Sequence, residues 1–148
     1  MDTTRHNAHR LVELFSAMRY ARPGPALQRL KELNLSFSHV RALHLLAPDR
    51  TLAMKELAEQ LDMTPPSVTA ITRRLVQVGL LHRQAHSDDQ RVALLSLTDE
   101  GQRLLHELEE ERVQQMTELL SGLTAGEQEQ FVRLLERAVA AMQDRDAE

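Results

Sequence analysis

Apolar side chains recur three and four residues apart through most of the chain, a pattern that predicts a mainly α-helical protein. Leu11, Leu14, Phe15 and Met18 form the first stripe, and the ArgProGlyPro run at 22–25 stops it. A linker is expected from there to residue 35. Ser36 is placed to cap a second helix carrying Val40, Leu43 and Leu46, which must close near Pro48 and Asp49. Met54, Leu57, Ala58 and Leu61 mark a short third helix ending near Asp62. Thr64 is read as the cap of a fourth helix, with Pro65 at its first position, where a missing N–H costs nothing. Val68, Ile71, Leu75 and Val78 form its stripe, and Gly79 is set to end it.

Beyond Gly79 the helical period is lost and the pattern becomes that of a hairpin, with strands at 80–84 and 91–97 around a turn at 86–90. Thr98, followed by Asp99 and Glu100, opens a long fifth helix, its acids suited to the positive end of the dipole. SerGlyLeuThr at 121–124 breaks it. Thr124 and Glu127 then make a capping box for a sixth helix with the stripe Phe131, Leu134, Leu135, Ala138 and Met142. The fifth and sixth stripes run far past any contact that a reader of about sixty residues supplies, so they predict a partner helix surface, most simply a second copy of the chain.

Three short helices followed directly by a hairpin is the order of a winged helix-turn-helix, with the fourth segment as the reading helix. On a wheel of 100° per residue, Pro66, Thr69, Ala70, Arg73 and Gln77 fall opposite the apolar centre, flanked by Ser67 and Arg74. Small residues near the start let a helix end sink into a major groove. The hydroxyls can meet base edges or phosphates, and arginine forms bidentate pairs with guanine or clamps a phosphate. In the hairpin turn, Arg91 is placed to enter a minor groove, and Asp89 is spaced to hold its guanidinium.

Charge sharpens this picture, because the formal net charge of −4 averages an uneven chain. Residues 99–148 hold 13 acids against 5 bases, whereas residues 1–98 hold 13 bases against 9 acids. Only the N-terminal two-thirds are suited to face an anion. The absence of Cys excludes disulfide frameworks, CxxC zinc sites and thiol chemistry. His6 and His9 lie near the terminus, and His39 and His44 fall five apart on one helix, so no metal is expected. His86, Ser87 and Asp88 are neighbours in one turn and cannot aim at a common point, so no enzyme and no cofactor are expected. No run approaches the roughly 18 to 20 apolar residues of a membrane span, and MDTTRHNAHR lacks a secretion signal's apolar core, so a soluble cytoplasmic protein is expected.

These residues resemble the MarR family of bacterial and archaeal transcription regulators. The resemblance rests on Leu57-Ala58, Thr64 to Thr69, Arg74-Leu75, Gly79-Leu80, Arg83, Asp89-Gln90-Arg91 and Leu97-Thr98-Asp99-Glu100-Gly101, with Ser36, His39 and Leu43 at the start of the second helix. It implies a mainly α fold in which a winged helix-turn-helix sits between N- and C-terminal helices that form a dimerisation region. The implied division is residues 1–35 as dimerisation helix and linker, 36–98 as the DNA-binding domain and 99–148 as further dimerisation helices. The reading helix is expected at about 64–78 and the wing at about 80–97.

The implied function is that of a homodimeric, sequence-specific regulator of transcription, a repressor on a pseudo-palindromic operator in double-stranded DNA, released by a small ligand. By position, Ser67, Thr69, Ala70 and Arg73 would face the major groove together with Thr64 and Pro66. Arg74 would face the backbone, Arg91 the minor groove with Asp89 as support, and Ser36 and Ser38 phosphate. The sequence departs from the family pattern at Gln90, where the family commonly carries arginine, and at Ala70, where relatives often carry arginine or another polar reader, and both departures reduce basic contacts. A family-type pocket would use Phe15, Met18, Arg19 and His39 and suit an aromatic or phenolic acid. A winged helix that docks proteins and does not bind DNA is the alternative class, and steep salt dependence of binding separates the two.

Overall fold

The computed structural model describes residues 2–19, 22–85, 88 and 92–146. Among these, seven helices and three strands follow one another: α1 (Thr3–Arg19), α2 (Pro25–Glu32), α3 (Phe37–Leu45), β1 (Leu52–Ala53), α4 (Met54–Leu61), α5 (Pro65–Gln77), β2 (Leu81–Ala85), β3 (Ala93–Leu97), α6 (Asp99–Leu120) and α7 (Ala125–Asp146). Two of these elements correct the sequence reading. The stretch expected as a linker contains α2, which starts with Pro25 at its first position and buries Ala26 and Leu30. The hairpin gains a third strand, so the sheet has the order β1-β3-β2.

Both pairings are antiparallel: Leu81 to Ala85 stand opposite Leu97 to Ala93, and Leu52 and Ala53 opposite Leu95 and Leu94. Leu95 is wholly buried at the centre of the sheet. Around it pack Leu43 and Leu46 of the α3 region, Leu57 and Leu61 of α4, Val68 and Leu75 of α5, and Leu80 and Leu104, all with essentially no exposed surface. Each such leucine contributes about 1.5–3 kcal/mol by leaving water, and together they hold the helices that flank the sheet at fixed angles.

The chain divides into two compact units, Met1–Leu108 and Glu109–Glu148. The first contains the core above. Its α1 exposes Leu11, Val12, Leu14 and Phe15. The second contains the later turns of α6, the Thr124–Glu127 capping box and α7. Thr124 N–H donates to the Glu127 carboxylate at 2.8 Å, and the Gln128 amide closes the turn on the carbonyls of Leu120 and Leu123 at 3.0 Å. The α7 stripe of Phe131, Leu134, Leu135, Val139 and Met142 is about half exposed. Among the described residues no helix is long and apolar enough to cross a membrane.

Candidate nucleic-acid interface

The reading helix is set by the turn that precedes it. α4 ends in a left-handed residue, Asp62 (φ 52°), and the N–H groups of Asp62 and Met63 fold back onto the carbonyls of Glu59 and Ala58. The chain therefore reverses within Asp62, Met63 and Thr64 and starts α5 at Pro65. Thr64 occupies the cap position in extended backbone, as the sequence predicts, yet its hydroxyl meets the Ser67 hydroxyl at 2.9 Å and makes no capping bond to a backbone N–H. At the other end Gly79 (φ 78°) permits the left-handed turn, with Leu80 N–H on the Leu75 carbonyl at 2.9 Å and Gly79 N–H on the Val76 carbonyl at 3.1 Å.

Burial of Val68, Ile71, Thr72 and Leu75 fixes which face of α5 is left outside. Pro66, Ala70, Arg73 and Gln77 are exposed, and Ser67 and Thr69 are half-buried beside them. The Thr69 hydroxyl donates to the Pro65 carbonyl at 2.9 Å, so towards a ligand it offers only lone pairs. Arg73 forms no hydrogen bond or ion pair among the described residues and is exposed. Its five donors are open to an anion or a base edge.

Arg74 is placed differently from the expectation. It is half-buried, and its Nε and Nη2 both donate to the carbonyl of Leu33, at 3.2 and 2.7 Å, while Nη1 donates to Gln77 Oε1 at 3.2 Å. The residue expected to lie along the DNA backbone is thus tied to the end of α2.

Ser36 is exposed and Ser38 half-buried at the start of α3, with Phe37 standing 76% exposed between them. His39 closes this helix start: the Ser36 N–H donates to its Nδ1 at 3.0 Å, and the Ser36 hydroxyl lies 2.8 Å from the same nitrogen. Because an N–H can only donate, Nδ1 is the unprotonated nitrogen and the ring hydrogen sits on Nε2. Burial, and to a lesser degree the positive charge of Arg74, hold His39 below its ordinary pKa of 6.5.

The wing is carried by β2 and β3, with His82 and Arg83 exposed on β2. The expected Asp89 and Arg91 pair lies outside the described residues, as do His86, Ser87 and Gln90. Of the expected pocket residues, Phe15 is exposed, Met18 and His39 are half-buried, and the side chain of Arg19 lies outside the described part. A groove of about 720 Å3 opens between α4 and α5, lined by Met54, Lys55, Ala58, Glu59, Asp62, Met63, Thr64, Pro65 and Thr69. Neither Phe15, Met18 nor His39 lines it. Among the described residues no group of three or more potential ligands stands together for a metal ion.

A reading helix held by a three-residue turn, followed by a two-stranded wing that β1 extends to a three-stranded sheet, defines a winged helix-turn-helix protein. Residues 35–93 match the model of the MarR family. An HTH-type transcriptional regulator of Neisseria gonorrhoeae, FarR, is 40% identical over 82 residues, which cover 55% of this chain and 56% of that protein. The match therefore spans little more than half the length of that curated relative. Among solved structures, the YusO protein from Bacillus subtilis superimposes with a TM-score of 0.80 at 28% identity, over 93% of this chain and 95% of that one. A mutant of S. aureus MepR, bound to an oligodeoxyribonucleotide, shares the fold with a TM-score of 0.71 at 22% identity, over 92% of this chain and 97% of its own. Residues 35–93 are thus similar to the MarR family, and the fold of the YusO protein extends over nearly the whole chain.

Proposed function

We propose that the protein is a homodimeric regulator of transcription that binds double-stranded DNA through α5 and the wing. The observation that carries this reading is the outer face of α5. It is small at Pro66 and Ala70, polar at Ser67 and Thr69, and ends in an exposed Arg73 with no partner among the described residues. Such a helix end enters a major groove without a steric penalty and leaves one guanidinium to read or clamp. Arg91, supported by Asp89, is assigned to the minor groove, and Ser36 and Ser38 to phosphate oxygens at the start of α3. That a MepR mutant with the same fold is bound to an oligodeoxyribonucleotide supports DNA as the partner.

Homodimerisation follows from the apolar residues left half exposed on α1 in the first unit and on α7 in the second. A two-fold pair sets its reading helices about 34 Å apart, one turn of DNA, and so reads a pseudo-palindrome. Repression, with release by a small aromatic or phenolic ligand, completes the proposed role in the cytoplasm. The role is one of binding and requires no catalytic group.

The test is an electrophoretic shift with the DNA flanking the protein's own gene, titrated with salt and with unrelated duplex. Specific retardation that weakens steeply as salt rises is expected. An intact dimer that leaves every duplex unshifted at low salt overturns the reading.

A further inference from the structure

Arg74 lies on the reading helix, yet its guanidinium is held by the Leu33 carbonyl at the end of α2, whereas that of Arg73 has no partner among the described residues. The carbonyl it holds has a particular place. α2 ends with Asn34 in the left-handed conformation (φ 53°), and the Leu35 and Asn34 N–H groups fold back onto the carbonyls of Leu30 and Lys31. That closure leaves the Leu33 carbonyl pointing out of the helix end, where the aligned peptide dipoles concentrate negative charge. Two donors of one guanidinium converge on that oxygen, and the third nitrogen is steadied by Gln77. A planar fork provides this geometry, and a lysine ammonium does not.

The same short helix is gripped one turn from its end by a second arginine. Arg29 Nη2 lies 2.6 Å from the Glu100 carboxylate at the start of α6. α2 is therefore a strut whose body is tied to α6 and whose end is tied to α5. The segment it leads into, Leu35 and Ser36, starts α3.

We propose that Arg74 is a positioning residue: it fixes the reading helix against the end of α2 and does not contact DNA. This rests on the proposed DNA-binding role only for its consequence. The attachment itself is a property of the free protein. Arg74→Gln removes the charge and the fork. Arg74→Lys keeps the charge and removes the fork.

The first measurement is hydrogen exchange on the protein without DNA. Both variants are expected to speed exchange of the Leu33, Asn34 and Leu35 amides at least tenfold, because those N–H groups hold the helix end together. Unchanged exchange overturns the proposal. The second is binding to the duplex flanking the protein's own gene. Both variants are expected to weaken it at least tenfold, with the slope of log Kobs against log salt kept. Native affinity in Arg74→Lys, together with a slope smaller by about 1 in Arg74→Gln, makes Arg74 a phosphate contact and overturns it. If the native protein binds no duplex, the DNA-binding role falls while the exchange result still decides the attachment. Should Arg74→Gln fail to fold, Gln77→Ala carries the test. That variant removes only the partner of Nη1, and severalfold faster exchange at the same three amides is expected, whereas unchanged exchange overturns the proposal.

Discussion

Gly101, in the first turn of α6, lies against Leu80 at the exit of the reading helix and Leu97 at the end of β3. A Cβ at this position would stand 2.3 Å from the Leu80 carbonyl oxygen, 3.2 Å from the Leu80 carbonyl carbon and 3.3 Å from Leu97 Cδ2. The first two are backbone atoms at the exit of α5, so no side-chain rotation relieves the contact. Ordinary contact requires about 1 Å of movement, and such overpacking costs about 1–3 kcal/mol. The movement also pulls on two bonds, Thr98 N–H to the Leu80 carbonyl at 3.1 Å and the Thr98 hydroxyl to the Gly79 carbonyl at 2.7 Å. Losing one of them adds about 1 kcal/mol. Alanine returns up to about 1 kcal/mol of helix propensity. Gly101→Ala is therefore expected to lose about 1–3 kcal/mol, a fall in Tm of about 2–10 °C for a chain of this length.

Thermal unfolding followed by circular dichroism at one protein concentration measures this. Gly126→Ala in α7 is the control, since a Cβ there meets nothing within 4 Å. The control should leave Tm unchanged or raise it slightly. A Gly101→Ala protein at least as stable as the parent would refute the close approach of α6 to Leu80.

Other consequences are equally accessible. Arg73→Ala should cost about 1–3 kcal/mol on the preferred duplex and relax sequence preference at one position if the side chain reads a base, as competition shift assays would show. An equal loss on all sequences would assign Arg73 to phosphate. Leu134→Asp places a charge on the half-exposed α7 stripe and should shift the protein to monomer in sedimentation, and a persistent dimer would remove that stripe from the interface. The His39 cap works only with a neutral ring, and its folded pKa lies below the ordinary 6.5. As pH falls below 6.5 the unfolded chain takes up the proton first, so stability present at pH 7 is lost on acidification. His39→Gln retains an acceptor for the Ser36 N–H and should flatten the dependence of Tm on pH between 7 and 5.5, and an unchanged slope would show that the pH response arises elsewhere.

Much of the reader is legible in the sequence because it is built from local rules. Pro65 after Thr64 starts α5, Gly79 ends it, and the period of Val68, Ile71 and Leu75 chooses the face that is buried. By the same arithmetic Arg73 falls outside. α2 escapes this reading because it is only eight residues long and follows a Pro and Gly run that reads as a stop. It buries just Ala26 and Leu30, which give no full stripe. β1 escapes because two residues carry no alternation, and Leu52 and Ala53 become a strand only by pairing with Leu95 and Leu94. Thr64 shows a finer limit: the cap position is predictable, whereas the choice of Ser67 as hydroxyl partner is a matter of side-chain geometry.

The two neighbouring arginines of α5 mark the boundary most clearly. Composition and helical period by themselves determine a mainly helical chain, a reading helix at its place, an outer face that is small and basic, and acidic C-terminal helices with apolar stripes. They put Arg73 on the outer face and Arg74 at its flank, yet with the same charge on both they do not tell which of the two is held by the protein itself. The tertiary structure separates them, because α2, 41 residues earlier in the chain, brings an unsatisfied carbonyl to within 2.7 Å of one guanidinium and not of the other. Helical period is a property of neighbours in sequence, whereas the partner of a long, flexible cation is chosen by whichever helix end the packed core delivers to it.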